Sequence, residues 1–212
     1  MQKMDIIYED KKLLVINKPT KLLTISDGKT DHTLYSMASS YVKKQHKSNK
    51  IFIVHRLDKD TSGIVVFAKD VKTKLALQNN WNNITKREYI AVLDGILENK
   101  SGVLKDYLYE DKAHYVHISN NKNGNLAITE YEVLNYKDNK TVVKIYIKTG
   151  KKNQIRVSFS NINHPILGDK KYGTNKESRL YLHANKMYLT LENKEYIFEA
   201  KLPNEFKKYI LK

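Results

Sequence analysis

The sequence predicts an α+β fold, a mixed and mostly antiparallel central sheet with flanking helices. Short runs of β-branched and aromatic residues fill the later part of the chain, as strands do. Apolar residues at helical spacing occur in only a few places and do not alternate regularly with those runs, which argues against a doubly wound parallel sheet. Gly95, Gly102, Gly124 and Gly150 punctuate the strand-like runs as turns.

Residues 5–17 begin with Ile6-Ile7-Tyr8, turn at Glu9-Asp10-Lys11-Lys12 and continue Leu13-Leu14-Val15-Ile16. This is the pattern of a hairpin that closes onto Lys18-Pro19, where proline cannot donate to a ladder. From Thr33 to about Lys44, Leu34, Met37, Ala38, Tyr41 and Val42 recur at helical spacing, with Asp31 or His32 as the cap. Residues 51–54 and 63–68 read as strands flanking a turn, and Val71 to about Asn82 as a second helix. Strands follow near 87–94, 103–109, 113–118, 126–134, 141–148, 179–190 and 195–200. A short helix from Asn153 to about Asn161 succeeds the Thr149-Gly150-Lys151-Lys152 turn, and Glu205–Leu211 forms a terminal one. There is no internal repeat, low-complexity tract or Pro/Gly/Ser linker, so residues 1–212 are expected to form a single domain.

At 41% hydrophobic residues the chain can build an ordered core, though not a thick one. No apolar run approaches the roughly 20 residues that cross a bilayer. The opening Met1-Gln2-Lys3-Met4-Asp5 meets Glu9 and Asp10 too soon for a signal peptide. Absent cysteine excludes disulfides, thiolate metal sites and cysteine nucleophiles together. These features lead to the expectation of a cytoplasmic protein without a membrane span. Lys plus Arg total 38 against 23 for Asp plus Glu, a net charge of +15, which suits a polyanionic partner, although charge alone leaves a well-solvated lysine-rich surface about as good a reading. Only four residues are arginine: Arg56, Arg87, Arg156 and Arg179. Lysine does not reproduce the planar fork of a guanidinium, so these positions mark places where geometry counts beyond charge.

Several chemistries drop out. No glycine-rich loop cradles phosphates, so no nucleotide cofactor is expected. The seven histidines form no metal-type doublet, and His114 and His117, three apart in a predicted strand, fall on opposite faces, so no metal is expected. No serine sits in a nucleophile elbow. What remains is carboxylate chemistry. Residues 54–69, Val-His-Arg-Leu-Asp-Lys-Asp-Thr-Ser-Gly-Ile-Val-Val-Phe-Ala-Lys, form the densest polar cluster between two apolar strands. On spacing alone the cluster reads as a turn, with Arg56 solvating Asp58 if the backbone is extended.

The stretch His55-Arg56-Leu57-Asp58 followed by Thr61-Ser62-Gly63, an apolar strand and Ala68-Lys69 resembles the RluA-type pseudouridine synthase family. Further segments resemble that family in order along nearly the whole chain. They are the opening hairpin to Lys18-Pro19, Lys86-Arg87-Glu88-Tyr89-Ile90-Ala91-Val92 with Gly95, and Ala127 to Leu134. After these come Thr149-Gly150 through Gln154-Ile155-Arg156-Val157, His164-Pro165-Ile166-Leu167-Gly168-Asp169 with Tyr172-Gly173, and Arg179 to Ala184. The resemblance implies an isomerase that breaks the N1–C1′ bond of uridine and joins C5 to C1′, with no cofactor.

It also implies roles. Asp58 is the catalytic carboxylate, acting on C1′ as a nucleophile or on C2′ as a base. Arg156 pairs with this aspartate and favours its charged form. Tyr89 stacks on the uracil. Arg56 fills the space that a flipped base leaves, a task for a planar cation. His55 supports the loop or donates to RNA, and Lys18 contacts phosphate. Arg87 and Arg179 have a weaker case for such a role, since a sheet-edge ion pair would account for either. The sequence departs from the family at Lys21, where glycine is common, which implies a different turn. It departs again at Asn153 and Ser158, where histidines are common, which bears on the surroundings of Arg156. The opening hairpin starts at about residue 5, so no separate N-terminal RNA-binding domain is expected, and the catalytic domain selects its ribosomal or transfer RNA by itself. A monomer is expected. The alternative is an RNA-binding protein of the same fold that assists RNA folding or ribosome assembly without catalysis.

Overall fold

The computed structural model describes residues 4–120, 123–173 and 177–210. Its elements run β1 (Asp5–Glu9), β2 (Leu13–Lys18), α1 (Leu34–Gln45), β3 (Phe52–Ile53), β4 (Ser62–Ala68), α2 (Val71–Ile84), β5 (Thr85–Asp94) and β6 (Ser101–Glu110). They continue β7 (Val116–Ile118), β8 (Asn125–Lys137), β9 (Lys140–Ile147), α3 (Gln154–Asn161), β10 (Leu182–Leu191), β11 (Lys194–Glu199), a 3-10 turn at Asn204–Phe206 and α4 (Lys207–Ile210). The fold is α+β with mostly antiparallel pairing, as the sequence predicts. The chain divides into two compact units, Met1–Thr85 with Ala184–Lys201, and Lys86–His183 with Leu202–Lys212.

In the first unit, β1 and β2 form the predicted hairpin. Asp10 Oδ1 closes its turn by accepting the N–H groups of Lys12 (2.8 Å) and Leu13 (2.7 Å). β2 pairs antiparallel with β4 from Leu13↔Ala68 to Lys18↔Gly63, and β4 neighbours β10, which carries β11. Every residue of β4 is buried, which explains why it reads as an unbroken apolar run rather than an alternating one. Leu13, Val15, Ile64, Val66, Met187 and Leu189 share one core with Leu77 of α2. Their period of two along each strand is what places them on one face.

The cap of α1 is Thr33, not Asp31 or His32. Thr33 Oγ1 accepts the Ser36 N–H and Ser36 Oγ accepts the Thr33 N–H, both at 3.1 Å, a reciprocal capping box. Asp31 and His32 lie outside that register and are exposed.

In the second unit the strand order is β5-β9-β8-β6-β7, and each neighbouring pair is antiparallel. β7 begins at Val116, not near residue 113. Asp111 Oδ1 takes the Tyr115 N–H at 2.8 Å, which bends the chain into a turn with His114 at φ 61°. His114 is therefore a turn residue and not on the opposite face of a strand. The segment 179–181 precedes β10 rather than belonging to it, although Tyr181 exchanges backbone bonds with Val92 and Leu167. The terminal α-helix begins at Lys207, after the 3-10 turn, rather than at Glu205, and Leu211 lies outside the described residues.

Gly63 sets how closely β4 approaches its neighbour. Its φ is 115°, and a Cβ there would overlap the backbone of Ala184. Gly63→Ala is expected to destabilise the protein by about 3 kcal/mol or more, since backbone strain and steric overlap add. Urea unfolding checks this, and a midpoint like that of the native chain would refute the close approach.

Candidate active site

Asp58 lies in the first unit, half-buried, in a segment without regular secondary structure between β3 and β4. Such a segment holds one conformation only if its backbone is tied down, and here the ties are many. Leu57 is buried, and its N–H donates to Thr24 Oγ1 (3.2 Å) while its carbonyl accepts from the same hydroxyl (2.8 Å). The Asp60 carbonyl accepts from Thr20 Oγ1 at 2.7 Å. The Asp58 carbonyl accepts the Thr61 N–H at 3.2 Å. His55 Nε2 accepts the Val66 N–H of β4 at 2.9 Å, and its ring stacks on Trp81 of α2 at 4.5 Å. Of the two roles the sequence allows for His55, the geometry matches loop support.

Lys18 corrects an expectation. Its side chain has no solvent exposure, and its Nζ donates to the carbonyls of Pro19 (3.0 Å), Leu22 (2.7 Å) and Lys59 (3.1 Å). An ammonium has three donors, so Lys18 is a buried clasp on the Asp58 segment and not a surface phosphate contact. Burying it costs solvation, and the three carbonyl bonds offset that cost. Lys21 corrects another: its φ is 63°, the left-handed conformation that glycine favours, so the turn that glycine would make forms here without one.

Arg56 is exposed, whereas Arg87, Arg156 and Arg179 are all buried. The scarce arginines thus divide into one at the surface beside Asp58 and three within the second unit. Arg179 forms an ion pair with Glu205 at 3.7 Å while itself buried, and Arg87, also buried, approaches the Ile147 carbonyl at 3.5 Å.

Tyr89 and Arg156 belong to the second unit. Tyr89 is a buried residue of β5, opposite Ile145 of β9. Arg156, on α3, makes a two-point pair with Asp169: Nε donates to Oδ2 (2.8 Å) and Nη2 to Oδ1 (2.7 Å). Its Nη1 donates to Asn153 Oδ1 at 3.2 Å. The guanidinium plane is therefore fixed from two sides. Asn153 adopts φ 54°, a conformation asparagine tolerates, and its amide also donates to the Tyr172 hydroxyl at 3.1 Å. Ser158 donates to Asp106 at 2.5 Å. Both departures from the family pattern thus have partners of their own. Gln154 anchors the start of α3 by accepting from Thr149 Oγ1 (2.8 Å) and donating to Ile128 O and Thr129 Oγ1 (3.0 Å each).

Asp169 is the residue that sequence reasoning passed over. Its side chain is fully buried, and Oδ1 also accepts the N–H groups of Lys171 (2.9 Å) and Tyr172 (3.0 Å). Burial by itself would raise its pKa. The Arg156 bonds and charge, with the two backbone N–H groups, outweigh burial and hold it below the usual carboxylate range. Gly168 supports this arrangement, since at φ 77° it lets the chain pass where a Cβ would overlap the Arg179 carbonyl. The signal for Asp169 was present in His164-Pro165-Ile166-Leu167-Gly168-Asp169, a segment singled out without a role for its acid.

Asp169→Asn is expected to cost about 3–5 kcal/mol, because Arg156 is left buried with its charge uncompensated. Because the folded pKa of Asp169 is depressed, its contribution is present at neutral pH and above the unfolded carboxylate range. It is lost as pH falls through the folded value. Urea titrations of native and Asn variants at neutral and acid pH check both points. A gap that does not narrow on acidification would refute the charge argument.

Comparison with known proteins bears on this arrangement. The family model described as RNA pseudouridylate synthase matches residues 12–161. The chain is 33% identical over 213 residues to the uncharacterized RNA pseudouridine synthase YhcT of Bacillus subtilis, covering 96% of this chain and 70% of that one. It is 36% identical over 217 residues to the ribosomal large subunit pseudouridine synthase C of Rickettsia prowazekii, covering 97% and 70%. Among solved structures, human RNA Pseudouridylate Synthase Domain Containing 4 superposes with a TM-score of 0.80 at 26% identity, covering 95% of this chain and 90% of that one. Extensive similarity of sequence and fold therefore agrees with the order of motifs along the chain, and the protein is an isomerase belonging to the RNA pseudouridylate synthase family, of the RluA type.

Proposed function

We propose that this protein converts uridine to pseudouridine in structured ribosomal or transfer RNA, with Asp58 as the reacting carboxylate. The observation that carries the proposal is the clamped segment around Asp58, with Leu57, Lys59 and Asp60 held through their backbone by Thr24, Lys18 and Thr20. A reacting group must be held within a fraction of an ångström of its target, and a loop so tied meets that demand. Ribosomal RNA is the favoured substrate because a relative at 36% identity is named for the large ribosomal subunit.

The reaction consumes neither electrons nor water. The N1–C1′ bond breaks, the uracil turns, and C5 bonds to C1′; C5 loses its proton and N1 gains one. In this proposal Asp58 acts on the ribose and, as the family resemblance implies, Tyr89 stacks against the uracil and Arg156 provides a fixed guanidinium. The target base leaves its stack to be reached. Arg56, exposed and two residues before Asp58, takes up the vacated space in this proposal, the role that the family resemblance implies. Surface lysines hold the phosphates.

Asp58→Ala is expected to bind RNA nearly as the native protein does while product formation falls about a thousandfold or more. Mapping of pseudouridine in RNA incubated with each protein reads this directly, and normal product from the variant would remove Asp58 from the mechanism. Affinity should also fall steeply with salt, by a slope of about −0.7 per phosphate neutralised on a single strand. A salt-insensitive Kd would rule out recognition through lysines.

A further inference from the structure

The second unit carries a row of rings outside the residues assigned so far. Tyr109 of β6 lies directly opposite His117 of β7, and their rings stack at 5.3 Å with an interplanar angle of 24°. His117 meets Tyr115 at 4.8 Å, and Tyr115 meets Tyr172 at 4.7 Å. The Tyr172 ring in turn lies 5.3 Å from the Arg156 guanidinium. The row therefore leads without a gap from the protein surface to the buried arginine of the candidate active site.

Its two ends differ. At the inner end Tyr172 is held by Asn153 and by the Val116 N–H, each at 3.1 Å, and Tyr115 donates to the Lys171 carbonyl at 2.6 Å. At the outer end Tyr109 is 46% exposed although it is a large aromatic residue. Asp111 orders the middle of the row: one oxygen accepts the Tyr115 N–H and the other contacts His117 Nε2, both at 2.8 Å. The rings are thus set in position by the hairpin before any partner arrives, which lowers the entropy cost of binding.

The charges around the row suit an anion. Glu110 is countered by Lys152 (2.5 Å) and contacts His114 (2.7 Å), and Asp111 contacts His117 (2.8 Å). Lys171 lies 4.7 Å from the Tyr115 ring, and Lys112 and Lys170 are exposed nearby in sequence. An exposed ring at the end of a row of half-buried ones, with lysines nearby, matches the chemistry of single-stranded nucleic acid, whose bases stack on aromatic faces while phosphates meet lysines. A duplex offers no free base faces to such a row.

We infer that Tyr109 and His117 form a stacking platform for an unpaired base flanking the target uridine, with the row guiding the strand toward Arg156. This inference rests on the RNA substrate proposed above and names a second contact region for it. Fluorescence anisotropy with a short labelled oligouridylate tests it. Tyr109→Ala is expected to weaken binding about 5- to 150-fold, the range of one lost base–aromatic stack. Tyr109→Phe should retain most of the affinity, because the ring and not the hydroxyl does the work. The salt slope should stay unchanged, since stacking releases no counterions. In turnover assays KM should rise with kcat unchanged.

Native-like binding by Tyr109→Ala and by the Tyr109→Ala/His117→Ala double variant would overturn the platform. Pseudouridine formed by the native protein would in that case leave the proposed function standing. Equal losses in Tyr109→Phe and Tyr109→Ala would also overturn it, by assigning the effect to the hydroxyl. If the native protein neither binds oligouridylate nor forms pseudouridine, both the platform and the proposed function fail.

Discussion

Asp169 has no exposed side-chain surface, and an ionised carboxylate so placed is tolerated only when its lone pairs and its charge are both answered. Arg156 answers the charge through two parallel bonds, and the N–H groups of Lys171 and Tyr172 take further acceptor capacity. Much of the second unit follows from this pair. It joins α3 to the segment after Gly168, orients Tyr172 through its backbone, and leaves Asn153 to steady the remaining side of the guanidinium. A lysine in place of Arg156 would match the charge but not the two-point geometry. This gives a physical account of an arginine here in a chain that otherwise prefers lysine.

The first unit meets a similar demand with the opposite sign. Lys18 is an ammonium with no exposure, and three backbone carbonyls satisfy it. One of those carbonyls belongs to Lys59, beside Asp58, so the cost of burying the cation is offset by bonds that also order the candidate catalytic segment. Thr20 and Thr24 add neutral bonds to the same stretch. Buried polar networks of this kind rigidify when each member is satisfied, and irregular backbone beside a reacting group gains most from that.

Much of the fold was legible in the chain. β4 announces itself as an apolar run, α1 and α2 by spacing, and the hairpin of β1 and β2 by its Glu9-Asp10-Lys11-Lys12 turn. Misreadings fell where a side chain bonds to backbone. Thr33 displaced Asp31 and His32 as the cap because only its hydroxyl is in register, and Asp111 bent the chain at His114. The candidate site divided in the same way. Arg56, Asp58, Tyr89 and Arg156 were nameable from family order along the chain, whereas Asp169 and the clasp of Lys18 involve partners that no spacing rule connects.

Sequence by itself determined the class of fold, the family and the residue types available for chemistry, because periodicity, turn residues and motif order are local properties of the chain. Tertiary structure alone decided which charges are buried and what answers them. Lys18 passed from expected phosphate contact to interior clasp, and Arg156 acquired Asp169 as a partner thirteen residues away. The physical reason is that desolvation depends on what packs around a group, and the partners that compensate it come from segments brought together only by folding.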